Sequence, residues 1–210
     1  MVRPFSVLLV LAALGGLVRA QPSSPVTSER LAPEAPLPAA IKAKGQRLIG
    51  AWTFAGPKGA SGHLVLSSTS RSGKAGASRQ LFAQLYAGAK PKQVRLVQDG
   101  VTNCQLDLIA SFVQGSVSFA DVDGDGVVEI GFAYDLGCDA TERPTPRKLL
   151  VLEGPDKHAL RGNGRGKDLE DKPTGGDFKA DPFKNQAALA TWAQKRWKEL
   201  LDTTAISVDP

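Results

Sequence analysis

The nine residues Asp121-Val122-Asp123-Gly124-Asp125-Gly126-Val127-Val128-Glu129 place carboxylates at alternate positions and end on a glutamate. Hard cations such as calcium take six to eight oxygen ligands at roughly 2.3–2.6 Å, and a tight acidic loop can turn its carboxylates inward to supply them. On this reading Asp121, Asp123 and Asp125 contribute side-chain oxygens, Val127 its backbone carbonyl, and Glu129 closes the site. Gly126 permits the sharp turn. An EF-hand loop needs a bidentate glutamate at its twelfth position, which here is Phe132, so that motif is excluded and the loop runs into a strand instead. Asp and Gly also suit a solvated β-turn that holds no ion. Against this, three alternate carboxylates repel one another unless something neutralises them. A bound calcium would be structural, since nothing in the loop points to a second metal or an activated water.

Two cysteines, Cys104 and Cys138, flank this segment. An even cysteine count in an exported chain favours a disulfide, with two free buried thiols as the alternative. Residues for catalysis are sparse. The two histidines, His63 and His158, fall inside predicted strands, and there is no Gly-x-Ser-x-Gly elbow, no His-Glu-x-x-His and no phosphate-cradling glycine loop. Carboxylate pairs such as Asp135 with Asp139 or Glu170 with Asp171 could serve acid–base chemistry, but polar loops produce such pairs routinely. No catalytic residue and no organic cofactor site is assigned.

The elements that position the acidic loop are strands. From Ile41 to about Leu160 short apolar alternations are separated by Gly, Pro, Ser and Lys, the pattern of antiparallel strands joined by turns. Strands are predicted at 48–54, 63–68, 80–86, 93–98, 106–113, 117–120, 128–134, 148–152 and 158–161. The fold class is therefore mainly β, an antiparallel meander of about seven to nine strands. In 106–113 one face collects Leu106, Leu108, Ala110 and Phe112, leaving Asp107 and Ser111 to solvent. In 128–134 the buried face collects Val128, Ile130, Phe132 and Tyr134, which turns Glu129 away from the core. Residues 154–177 become polar and glycine-rich and read as a long loop. Its Arg161, Arg165 and Lys167 could grip an anion, or simply be solvated. The period then changes: Asp181 as N-cap, Pro182 at the first helical position and Leu189, Trp192, Ala193, Trp197, Leu200 and Leu201 at three- and four-residue spacing predict a helix over 182–202 packed on the sheet. Two tryptophans in such a stripe act as core anchors, with sugar stacking as the alternative.

Residues 1–20 carry Arg3, the apolar run Val7–Val18 and the small-x-small ending Val18-Arg19-Ala20, the pattern of a signal peptide cleaved after Ala20, with an uncleaved membrane anchor as the alternative. The run is too short for a spanning helix, which needs about 20 residues, and no later run replaces it. Export to the periplasm or the extracellular space is the expectation. Processing removes Arg3 and Arg19 and lowers the formal charge from +5 to +3. The remaining Lys and Arg are spread among 21 acidic residues, without the concentrated basic stripe of a nucleic-acid binder. Residues 21–40 hold five prolines and read as an extended, unpacked leader, so a single domain is expected over 41–210.

The stretch Phe119–Tyr134 resembles the calcium loop and following strand of FG-GAP and VCBS-type repeats, in which D-x-D-G-D-G leads into an apolar strand. Together with Arg147–Gly162, RKLLVLEGPDKHALRG, the chain is similar to exported bacterial proteins with one such loop, loosely labelled surface polysaccharide biosynthesis proteins. His158 stands where an aromatic residue is expected, and a single loop copy excludes a closed propeller built by this chain alone. The resemblance implies a cell-envelope setting and does not imply an enzyme.

These features point to a non-enzymatic envelope binding or accessory domain, with an envelope polysaccharide or protein as partner. Two other classes stay open. A carbohydrate-active or hydrolytic enzyme would pair carboxylates about 5–10 Å apart beside exposed Trp or Tyr. An inhibitor or self-association module would show an exposed apolar edge or patch.

Overall fold

Alternating apolar residues build two antiparallel sheets in the computed structural model, which describes residues 25–139, 144–167 and 170–203. The predicted signal peptide lies outside the described residues. No helix among the described residues is long and apolar enough to cross a membrane.

The first sheet is a five-stranded meander in chain order: β1 (Thr27–Arg30), β2 (Arg47–Ala55), β3 (Ser61–Gly73), β4 (Gly76–Ala87) and β5 (Lys92–Cys104). The second has the order β13-β10-β9-β8-β6, from β6 (Leu108–Phe112), β8 (Glu129–Cys138), β9 (Pro146–Glu153), β10 (Asp156–Asn163) and β13 (Phe178–Ala180), with the short β7 (Ser118–Ala120) also pairing β8. A separate ribbon joins β11 (Arg165–Lys167) to β12 (Pro173–Gly175), and the helix α1 (Ala187–Glu199) follows.

The sheets pack through one apolar layer: Leu64, Leu66, Leu81 and Leu85 of the first meet Phe112, Ile130, Phe132, Leu150 and Leu152 of the second. Asp99 of β5 reinforces this contact, accepting hydrogen bonds from the Tyr134 hydroxyl at 2.9 Å and Lys148 Nζ at 2.6 Å. The uninterrupted run Leu149-Leu150-Val151-Leu152 explains the third layer, because a strand apolar on both faces must be covered on both. Leu149 and Val151 point the other way, with Ala133 and Leu160, against Leu189, Ala193 and Trp197 of α1. The tryptophans are core anchors: Trp197 is fully buried, its indole N–H donating to the Gly176 carbonyl at 2.8 Å, and Trp192 packs beside it.

This third layer corrects several expectations. Glu129 does not face solvent; its side of β8 is the side α1 covers, and it is 1% exposed. Ser111 is buried for the same reason, lying opposite Asp135 beneath the end of the helix. Leu106, expected inside, sits in the crossover between the sheets and is exposed, since β6 starts only at Leu108. The helix begins at Ala187 rather than 182 and ends at Glu199. Asp181 is not its cap: the carboxylate instead accepts from the Ala159 N–H at 3.1 Å and from Arg161 at 2.5 Å, fastening β13 to β10. The polar segment 154–177, expected as one loop, instead carries β10, β11 and β12, with β13 just beyond it. The proline-rich leader is also partly packed. Within it β1 pairs β2, and Leu31 and Leu37 pack against Ile41, Val65 and Tyr86 on the outer face of the first sheet.

Candidate metal centre

Strands β7 and β8 form a hairpin whose register pairs Ala120 with Glu129, and the connecting loop is the acidic segment. Its backbone is folded by its own carboxylates. Asp121 Oδ1 accepts from the Gly126 N–H at 3.3 Å, Asp123 Oδ1 from Asp125 at 3.1 Å, Asp125 Oδ1 from Val127 at 2.6 Å, and Glu129 Oε2 from Val122 at 2.5 Å. Gly124 and Gly126, at φ of 78° and 90°, supply the left-handed turns this wrapping requires. Lys58, from the turn between β2 and β3, donates to the Asp125 carbonyl and ties the loop to the first sheet.

Each carboxylate thus uses one oxygen on the backbone and keeps another. One ligand oxygen from each of Asp121, Asp123, Asp125 and Glu129 lies within 4.8 Å of all the others. Two ligands on opposite sides of a calcium-sized ion are about 5 Å apart, twice the ordinary metal–oxygen distance, so the spread matches such an ion. Asp121 Oδ2 and Glu129 Oε1 are buried and have no hydrogen-bond partner. An unpartnered buried carboxylate oxygen is costly unless a cation answers it. The donor set is all oxygen, which suits a hard cation. These four residues are a group that could hold a metal ion. Val127 follows in the same turn, half exposed.

Burial raises the Glu129 carboxyl to about 7, with Asp123, Glu153 and Asp121 adding repulsion and the Val122 N–H opposing them. A raised folded-state value penalises the ionised form, so metal-free protein loses stability as pH climbs from the unfolded value near 4.5 towards 7. In chelator, Glu129→Gln should be more stable than wild type by roughly 3 kcal/mol above pH 7, with the difference vanishing below pH 4.5. Urea denaturation of both proteins across that range checks it, and a constant difference would refute it.

Glu153, at the end of β9, was not legible as a neighbour. It is buried beside the loop, receives a hydrogen bond from Gln186, and has its carboxyl raised by burial and by Asp123 and Asp125. No sequence signal links it to residues 24 or more positions away.

Cys104 and Cys138 form a disulfide with Cα atoms 5.5 Å apart, closing the ends of β5 and β8 around the hairpin. The histidines lie on strands as expected, with His158 stacked on Phe183 at 4.4 Å between ring centroids. The candidate acid–base pairs are otherwise engaged. Asp135 gives both oxygens to Arg147, at 2.7 and 2.9 Å, and Asp171 pairs with Lys167 at 3.2 Å. Arg161, Arg165 and Lys167 each face a carboxylate rather than forming an anion grip. No protein-family model, curated protein or solved structure matches this chain.

Proposed function

We propose that this chain is an exported, non-enzymatic binding or accessory domain of the cell envelope, braced by one structural calcium ion and one disulfide. The observation that carries the calcium reading is the pair of buried, unpartnered oxygens Asp121 Oδ2 and Glu129 Oε1 inside a four-carboxylate loop. Asp121, Asp123, Asp125 and Glu129 hold the ion on this reading, with the Val127 carbonyl joining them, and the ion joins β7 to β8. The likeness of the loop to FG-GAP and VCBS-type repeats belongs to the same proposal. Export is supported by residues 1–20 and by the disulfide, which persists in oxidising compartments. An accessory role is favoured over an enzyme because Asp135 and Asp171, two of the acid–base candidates, are engaged by cationic partners.

Calorimetric titration of calcium into chelator-stripped protein tests the reading. One ion should bind per chain, and Asp123→Ala, at an exposed position, should abolish the heat while leaving the fold intact. Binding that survives this substitution would contradict the site.

A further inference from the structure

The outer face of the first sheet is divided. Leu31, Leu37 and Ala43 cover its apolar half, Val65 and Tyr86. The other half, towards the β3–β4 hairpin tip, stays open as a groove of about 830 Å³.

Basic and neutral polar side chains line most of this groove. Lys44, Arg71 and Lys74 border it, and no carboxylate lines it. None of the three forms an ion pair among the described residues. Its floor is a lattice of neutral hydrogen-bonding side chains in register: Thr69 lies across from Gln80, and Gln98 across from Phe82. The lattice is set on rigid strands, and the edge carrying Lys44 is fixed. The Lys44 N–H donates to Gln84 Oε1 at 2.6 Å, the Gly45 N–H donates to Ser67 Oγ at 3.0 Å, and Lys44 Nζ sits 5.9 Å from the Phe82 ring centroid.

We propose that this groove binds an anionic saccharide, its hydroxyls taken by the Thr69, Gln80 and Gln98 lattice and its carboxylate or phosphate by Lys44, Arg71 and Lys74. Unpaired cations supply attraction for the anion, and neutral amides and hydroxyls supply the donors and acceptors that sugar hydroxyls need. A single-stranded nucleic acid fits less well, because it needs exposed aromatic platforms for base stacking, and Phe82, the groove's only aromatic residue, is buried.

The inference rests on reading the chain as a binding domain but not on the calcium, so the test is run in calcium and again in chelator. Disulfide-intact protein is titrated with a hyaluronan decasaccharide, mannose 6-phosphate, neutral dextran and a ten-nucleotide oligo(dT). Binding of hyaluronan or mannose 6-phosphate, and not dextran, is expected in both buffers, and whichever binds identifies the anion. Arg71→Glu combined with Lys74→Glu should weaken it at least tenfold with unchanged melting temperature, since both side chains are exposed. No binding of either anionic sugar, equal binding by the double variant, or tighter binding of oligo(dT) would overturn the proposal.

Discussion

Asp135→Ala is expected to destabilise the protein by about 3–5 kcal/mol, the cost of stranding a buried cation. Arg147 is enclosed between the second sheet and the end of α1, and among the described residues Asp135 supplies the only carboxylate it meets. The same guanidinium donates to the Leu200 carbonyl and, at 2.8 Å, to the Thr203 carbonyl. It therefore clamps the C-terminal end of the helix to β8 and β9, where the helix dipole favours a cation. Replacing the pair together, Asp135→Leu with Arg147→Met, removes both charges and should recover a large part of the loss. Denaturant unfolding of the single and double variants measures the difference. Equal stability of Asp135→Ala and wild type would show that the clamp contributes nothing.

Removing the disulfide has the second large effect. Cys104 and Cys138 are 34 residues apart, so opening the link frees a loop whose closure limits the unfolded chain, worth about 3–4 kcal/mol. Cys104→Ser with Cys138→Ser should lower the melting temperature by roughly 10 °C for a chain of this size. The acidic loop lies within the closed segment but is folded locally, by the Val122 to Glu129 and Gly126 to Asp121 hydrogen bonds. Calcium should therefore still stabilise the double-serine protein. If it does not, the metal site depends on the disulfide and not on its own hairpin.

The alternation of Ile130, Phe132 and Tyr134, the four-residue spacing of Leu189, Ala193 and Trp197, and the pairing of two cysteines were all legible in the chain, because each is a local pattern or a simple count. What was lost depends on a third layer. A strand pattern reports that Glu129 and Ser111 lie opposite the apolar face, but not that a helix 60 residues later covers that face too. Asp181-Pro182 has the composition of a helix start, yet its carboxylate is taken by Arg161 and Ala159, and the helix waits until Ala187. The strands β11 to β13 are three residues each, too short and too polar to show a period. In the same way β1 is hidden among prolines, fixed by pairing with β2 rather than by its own apolar content. The acidic cluster of Asp121, Asp123, Asp125 and Glu129 was legible because its residues are near neighbours in the chain. The groove was invisible because Arg71 and Gln98 meet only through the pairing of β3, β4 and β5, and Lys44 reaches them by packing across the sheet.

We propose that the acidic loop holds a structural calcium ion. Thermal unfolding of the oxidised protein in calcium and in chelator, at pH 7.5, tests it most directly. At a calcium concentration about a hundredfold above the dissociation constant, binding adds about 2.7 kcal/mol. That corresponds to a melting temperature roughly 5–10 °C higher than in chelator. Superimposable unfolding curves in the two buffers would contradict the account and reduce the loop to an acidic turn.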